Sequence, residues 1–378
     1  MLPLSLYIHT PWCIQKCPYC DFNSHQAPQV SQEKQYVDAL IADLKTDLND
    51  FPARPIQSIF IGGGTPSLLS SDAYATLFEA IRAELTFAPQ IEITLEANPG
   101  TIDQARFREY RALGINRLSL GVQSFHAKHL KTLGRIHDDT QAHRAIDCAR
   151  DAGFDNLNID LMHSLPHQTV EEGLEDLAFA IQHAPEHLSW YQLTIEPNTV
   201  FYKTQPPLPQ EDAIDELEQS GLALLASAGY HRYEISAFCQ PNRQAAHNLN
   251  YWLFGDYLGI GAGAHGKWTC PVTHKTYRTR KQKQPRDYLN PDKPHRVETI
   301  TLTPEEQLFE FMLNTTRLEQ PIPIALLTER TGLDPSYLRP KLAEAKEKNL
   351  ISYDEASWQI TPFGRRYTND LQALFLTL

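Results

Sequence analysis

Cys13-Ile14-Gln15-Lys16-Cys17-Pro18-Tyr19-Cys20 places three cysteines within eight residues, directly after a strand-like run that begins near Leu4. Thiolates are soft ligands, suited to zinc, Cu(I) or an iron–sulfur cluster. A closed structural zinc site needs four ligands, and His9 or His25 would supply the fourth. The alternative is a four-iron cluster held by Cys13, Cys17 and Cys20, with its last iron open to an outside ligand. An open coordination position is what separates a reactive metal site from a structural one. The other cysteines, Cys148, Cys239 and Cys270, are scattered. This crowding in a 378-residue chain argues against a disulfide framework and for a metal centre in a reducing compartment.

Outward from this loop, short apolar runs alternate with helical patterns. Strands are expected to begin near Leu4, Gln57, Ile91, Arg117, Asn156 and His187. The first intervening segment repeats Tyr36, Leu40, Leu44 and Leu48 at helical spacing, with Ser31 as the candidate N-cap. Gly114, Gly153 and Gly229 stand where the third, fourth and sixth helices should end. Six successive βα units predict a parallel sheet, because a parallel return needs a crossover helix. The run Ser58-Ile59-Phe60-Ile61 and the run Leu118-Ser119-Leu120-Gly121-Val122 are mostly apolar, as strands covered on both faces should be. At this point a partial or closed barrel and an open doubly wound sheet both fit.

Composition narrows the function classes. With 34 basic and 46 acidic residues the chain carries −12, a poor basis for binding nucleic acid, which needs clustered cations. No apolar run approaches the length of a membrane span. The start, Met1 to Ile8, lacks a basic region and a long apolar core, so no signal peptide is expected and the cytoplasm is the default location.

From about Phe238 the alternation degrades, and residues 1–237 are taken as the first unit. Residues 267–296 hold nine Lys or Arg against two Asp or Glu, and four prolines. The 238–300 segment therefore reads as a long irregular connection. A last unit, 301–378, opens with the capping box Thr303-Pro304-Glu305-Glu306. Further helices are expected from Asp334-Pro335 and Thr361-Pro362, with a hairpin between Leu350 and Ile360, a winged-helix outline. Its eight basic and eleven acidic residues argue for packing or partner docking rather than DNA binding.

C-x3-C-x2-C with an aromatic before the last cysteine resembles the radical S-adenosylmethionine (SAM) superfamily. The resemblance continues in Phe60-Ile61-Gly62-Gly63-Gly64-Thr65-Pro66, Leu95-Glu96-Ala97-Asn98-Pro99, Gly121-Val122-Gln123-Ser124-Phe125 and Ile159-Asp160-Leu161. These are similar to the coproporphyrinogen dehydrogenase-like branch, over most of the chain. The resemblance implies an α/β fold, a partial (β/α)6 barrel followed by a mainly helical domain. Each marked residue falls at the C-terminal end of a different strand, where barrel proteins assemble their sites.

The resemblance also implies roles. Cys13, Cys17 and Cys20 would hold a [4Fe-4S] cluster. Gly63 and Gly64 would allow backbone to approach SAM, with the Thr65 hydroxyl beside it. Glu96 would pair with the SAM ammonium, and Arg135 with its carboxylate. Gln123 and Asp160 would bind ribose hydroxyls, while Tyr7 and Tyr19 line the cofactor. In the family one electron enters the sulfonium and a deoxyadenosyl radical forms.

Within the branch, the true dehydrogenases carry a fourth cysteine two residues after the third, where this chain has Phe22, and a long segment before the loop, where twelve residues precede Cys13. Both departures resemble the heme chaperones instead, as does His247-Asn248-Leu249-Asn250-Tyr251-Trp252. The resemblance implies heme binding at His247. It also implies heme-acceptor proteins as partners, membrane-associated respiratory proteins among them, a place at the inner face of the membrane, and a homodimer. An oxidoreductase acting on a tetrapyrrole is the alternative, and a zinc-stabilised interaction protein the third. Arg278, Arg280 and Lys281 are the cations expected to meet heme propionates. Two further features stand out. Gly259-Ile260-Gly261-Ala262-Gly263-Ala264-His265 has the wrong spacing for a dinucleotide loop and reads as a tight backbone passage. His163-Ser164 replaces the aromatic–Gly pair of many relatives.

Overall fold

The parallel strands expected from the apolar runs are present in the computed structural model, which describes residues 2–52, 54–101 and 104–376. They are β1 (Leu4–Thr10), β2 (Ile56–Gly63), β3 (Phe87–Ala97), β4 (Arg117–Gln123), β5 (Leu157–His163) and β6 (His187–Gln192). Each pairs in parallel with the next. The helices between them include α1 (Glu33–Asp50), α2 (Ser71–Glu84), α3 (Gln104–Ala112), α4 (Ala127–Thr132), α5 (Asp139–Asp151) and α6 (Val170–Gln182). Alternate strand residues and one face of each helix meet in a core that includes Leu6, Tyr36, Leu40, Ile59, Leu95, Leu120 and Ile159, all buried. Burying such a side chain contributes roughly 1.5–3 kcal/mol. The sheet is open, with different strands at its two edges. The barrel is therefore partial.

Gly114, Gly153 and Gly229 follow helices with φ of 101°, 89° and 83°, as the helix-end reading requires. The N-cap assignment at Ser31 is corrected. Helix α1 starts at Glu33, and Gln32 at the cap position makes no side-chain cap bond. Ser31 Oγ accepts from the Glu33 N–H at 3.4 Å. The Glu33 carboxylate turns away to the Ser70 N–H (2.7 Å) and hydroxyl (2.6 Å), tying α1 to the start of α2.

The larger correction concerns residues 238–300, which are not an irregular connection. The short strands β7 (His231–Glu234) and β8 (Ala237–Cys239) pair antiparallel beside β6. On the other side, β9 (Asp256–Ile260) adds a parallel strand to β1. It is followed by β10 (His265–Thr269), β11 (Thr276–Lys281) and β12 (Arg296–Thr301) in antiparallel sequence. Among the described residues the sheet has twelve strands, in the order β12-β11-β10-β9-β1-β2-β3-β4-β5-β6-β8-β7.

The reason these strands hide in sequence is ionic. Lys267 and Lys281 point inward and are fully buried. Lys267 Nζ meets Asp256 at 2.9 Å, and Arg54 meets the other Asp256 oxygen at 2.6 Å. Lys281 pairs with Asp43 and, at 2.7 Å, with Asp47, both on α1. Arg296 pairs with Asp50. Buried cations are tolerated because each has an acidic partner on another element.

The C-terminal region has the element order of a winged helix. Helix α7 (Pro304–Thr315) begins with the full Thr303/Glu306 capping box. Helices Ala325–Thr331 and Arg339–Glu347 follow, with a small sheet of β13 (Ile322–Pro323), β14 (Ile351–Tyr353) and β15 (Ser357–Ile360). Its apolar core gathers Phe311, Leu327, Leu342, Trp358 and Leu371, and Phe254 from the β9 approach packs into it.

Candidate functional site: two adjoining cavities

The C-terminal ends of β2 to β6 and the cysteine loop surround one cavity of about 510 Å3. Its walls include Cys13, Cys17, Cys20, Tyr19, Gly63, Gly64, Thr65, Glu96, Gln123, Arg135 and Asp160. All six cysteines are free thiols. The cysteine loop is fastened to β2 by its backbone, with the Gly64 N–H on Thr10 O (2.7 Å) and the Thr65 N–H on Trp12 O (2.8 Å). A Cβ at Gly63, where φ is 116°, would lie 2.6 Å from the His9 ring, and one at Gly64 would lie 2.6 Å from the Trp12 carbonyl oxygen. Gly63 is thus required by the packing of β1 on β2, and Gly64 by that of the cysteine loop.

The acids of the cavity are held by neutral donors. Asp160 accepts from the Ser119 hydroxyl (2.9 Å) and the Asn158 amide (2.8 Å), which limits the cost of its burial. Burial still pushes its carboxyl upward. Glu96 accepts from the Gly63 N–H at 3.2 Å. Burial, reinforced by the neighbouring Asp160, pushes the Glu96 carboxyl up to about 8. Arg135 donates to Gly121 O (2.6 Å) and lies 3.7 Å from Cys17 Sγ. Its Nε is buried without a partner, a donor left for an anion. Gln123 sits at φ 72°, in the left-handed region, with its Oε1 held by the Tyr191 hydroxyl at 2.8 Å.

Sequence reasoning missed Ser119, Ser189 and Tyr191 in these walls. Tyr191 could have been found by the rule used for the others, since it lies at the C-terminal end of β6. Ser164 has φ 59° and is buried, with its hydroxyl 3.0 Å from His163 Nδ1. Its backbone is thus in the left-handed region despite the side chain.

The proposed fourth zinc ligands are engaged elsewhere. His9 hydrogen-bonds the Tyr7 hydroxyl (2.9 Å) and Asn23 O (2.9 Å), and His25 Nε2 meets Asn23 Oδ1 at 3.2 Å. Three thiols facing one cavity, beside acids and an unpartnered arginine donor, suit a cluster with one open position and a ligand bearing both charges.

Tyr7 is not in this wall. It lines a second cavity of about 820 Å3, together with His9, Phe22, Tyr251, Tyr257, His265, Arg280 and Lys283. Phe22, Gly63 and Glu96 border both cavities. His247 is also outside the linings of both cavities. His247 lies on the short helix Ala246–Trp252 and is 1% exposed. Nδ1 bonds Ser58 Oγ (3.0 Å) and Nε2 bonds the Tyr251 hydroxyl (2.8 Å). Burial, with Arg117 nearby, pushes the imidazole down to about 3. Both ring nitrogens are thus engaged with neighbouring side chains. Of the expected propionate partners, Arg278 is bound to Glu310 and to the Tyr257 hydroxyl (2.7 Å), and Lys281 is buried with Asp43 and Asp47. Only Arg280 reaches the cavity from an exposed position, beside Glu298 at 3.3 Å.

Residues 7–180 match the model of the radical SAM superfamily, and residues 302–367 match the HemN C-terminal domain. Heme chaperone HemW of Haemophilus influenzae is 47% identical, over 99% of this chain and 98% of its own length. Heme chaperone HemW of Escherichia coli is 48% identical, with 99% and 98% covered. The chain belongs to the HemW family. Among solved structures, coproporphyrinogen III oxidase (HemN) from Escherichia coli, described as a radical SAM enzyme, superposes with a TM-score of 0.83 at 25% identity, over 99% of this chain and 90% of that one. The HemW family thus shares the radical SAM partial barrel with that enzyme, and radical SAM membership implies a [4Fe-4S] cluster and SAM. No helix among the described residues is long and apolar enough to cross a membrane.

Proposed function

We propose that this chain binds heme and passes it to acceptor proteins, and that its first cavity holds a [4Fe-4S] cluster and SAM. The observation that carries the reading is the meeting of Cys13, Cys17 and Cys20 with Glu96, Asp160 and the unpartnered Arg135 Nε in one cavity, within a chain so similar to heme chaperones. When bound, the cluster would supply an open iron position and an electron. The protein's own part is to orient and shield. Arg135 donates to a carboxylate through Nε. Glu96, neutral in the ligand-free cavity at neutral pH, loses its proton to pair with an ammonium. Gln123 and Asp160 accept from ribose hydroxyls, Gly63, Gly64 and Thr65 give backbone and hydroxyl contacts, and Tyr19 packs alongside.

Phe22, rather than a fourth cysteine, stands between the cavities and supports a chaperone over an oxidoreductase. The six unpaired thiols suit the reducing cytoplasm, where transfer to membrane-associated respiratory proteins would occur at the inner face of the membrane. Anaerobic reconstitution tests the whole reading. Iron and sulfide should be incorporated, hemin should bind, and bound hemin should move to an apoprotein without loss of coproporphyrinogen. Turnover of coproporphyrinogen with consumption of SAM would establish the oxidoreductase instead, and zinc without iron would remove both.

A further inference from the structure

The second cavity contains an imidazole that neither the barrel nor its packing uses. His265 begins β10, at the end of the glycine-rich passage from Gly259. That passage is tight because backbones touch. A Cβ at Gly259 would lie 1.8 Å from the His265 carbonyl oxygen, and one at Gly263, where φ is 87°, would lie 2.2 Å from Asn23 Nδ2. The backbone of His265 is thereby pinned, while its ring is exposed to the cavity and makes no hydrogen bond among the described residues. His9 and His247 nearby have both ring nitrogens occupied.

Around His265 the walls differ in kind. Tyr251 and Tyr257 pack edge to face, with centroids 4.4 Å apart, and Tyr7 extends the aromatic wall. Their hydroxyls are tethered from behind, Tyr251 to His247 and Tyr257 to Arg278. The rim carries the exposed apolar side chains Phe22 and Val297. Arg280 stands directly across the strand pair from His265, and Lys283 makes no ion pair among the described residues. An aromatic wall, an unoccupied imidazole and cations at the mouth together describe a flat, anionic, metal-centred ligand. The volume of about 820 Å3 falls in the range of roughly 300–1,000 Å3 usual for small-molecule sites.

We infer that the second cavity is the heme pocket, that His265 rather than His247 is its axial ligand, and that Arg280 and Lys283 hold the propionates. The inference rests on the heme-binding reading above and adds the place and the ligand. A neutral imidazole binds iron through its free nitrogen. His247, through its bond to Tyr251, positions the aromatic wall and is not itself a ligand.

The experiment titrates the full chain with hemin and, separately, with metal-free protoporphyrin IX, following absorbance and fluorescence. For His265→Ala the Soret band should move to that of hemin without a protein ligand, and hemin affinity should fall at least tenfold. Protoporphyrin affinity should stay within twofold, because stacking and propionate contacts survive. His265→Met should give a third, thioether-type spectrum, which a merely misfolded variant would not. The double variant Arg280→Glu, Lys283→Glu should weaken both porphyrins by a similar factor. A wild-type Soret band and affinity in His265→Ala, with loss of the band in His247→Ala, would overturn the assignment. If the wild-type chain takes up neither porphyrin, the heme-binding reading fails and the pocket assignment with it.

Discussion

The two cavities share Phe22, Gly63 and Glu96 as a common wall, yet they are built on opposite plans. The first is closed by the ends of parallel strands. Its charges are met by neutral groups: Asp160 accepts from Ser119 and Asn158, Glu96 accepts from the Gly63 N–H, and Arg135 donates to Gly121 O. The second is bordered by the antiparallel flank, and the hydroxyls of its wall are tied to His247, Arg278 and His9. A site for a small zwitterion must offer opposite charges at fixed separations, so it needs a rigid polar shell. A site for a flat ring needs breadth, an apolar surface and few charges at the rim.

The comparison breaks most decisively at the cysteines. Replacing Cys13, Cys17 and Cys20 together by serine should reduce iron and sulfide after anaerobic reconstitution to background. Hemin affinity should change less than twofold, since none of the three lines the second cavity. Parallel loss of hemin binding would show that the cavities act as one site and that their separation here has no functional meaning.

The next test concerns what holds each plan in place. Lys281 and Lys283 lie two residues apart, one buried on α1's carboxylates and one exposed at the cavity mouth. Lys281→Met leaves Asp43 and Asp47 facing each other in the interior. Breaking a buried pair in this way costs about 3–5 kcal/mol. Lys283→Met should change stability by less than about 0.5 kcal/mol, the usual range for an exposed side chain. Midpoints of urea unfolding for the two variants check this. Equal effects would mean that the β11–α1 ion pairs do not anchor the flank.

That contrast also explains what could be read from the chain alone. The parallel half was legible because Leu6, Ile59, Leu95, Leu120 and Ile159 repeat an apolar strand pattern between amphipathic helices. The residues of the first cavity follow from strand ends once the cysteine loop is placed. The flank was illegible because Thr276-Tyr277-Arg278-Thr279-Arg280-Lys281 carries its inward positions as Thr and Lys. Pattern reading assigns lysine to solvent, and its acidic partners Asp43 and Asp47 lie more than 230 residues away in sequence. The surroundings of His247 were hidden for a related reason. A motif gives residue types, while the two hydrogen bonds that close its ring come from Ser58 on β2 and from Tyr251 on its own helix.

A smaller effect distinguishes the acids of the first cavity. The folded pKa of Glu96 is raised, to about 8, above its ordinary value of 4.5. The folded state therefore binds the proton more tightly than the unfolded state does. The stability this contributes is complete below the unfolded value and is lost as pH rises through the window from 4.5 to about 8. In ligand-free protein, Glu96→Gln should remove that loss. The melting temperature of the variant relative to wild type should therefore climb across this window and level off above it. Binding of an ammonium-bearing ligand should reverse the sign, because it favours the charged carboxylate, and SAM binding near pH 7 should release a proton. Calorimetry in buffers of different ionisation enthalpy measures that release. A pH-independent difference between variant and wild type would remove Glu96 as the titrating group.

The smallest effect is expected at Ser164. Its left-handed backbone costs a non-glycine residue about 1–2 kcal/mol, and its hydroxyl bond to His163 returns about 1 kcal/mol. Ser164→Gly relieves the first and forfeits the second, while raising the conformational freedom of the unfolded chain. Stability should change by less than about 1 kcal/mol in either direction. The informative readout is the neighbouring ring, since His163 packs on Trp190 at 4.3 Å between centroids. Burial holds the His163 imidazole down, to about 4, so the ring is neutral at pH 7 in both proteins. Freed of its hydroxyl partner, it should change the tryptophan fluorescence without changing SAM affinity. A large drop in SAM affinity would instead place Ser164 among the residues that shape the first cavity beyond Asp160.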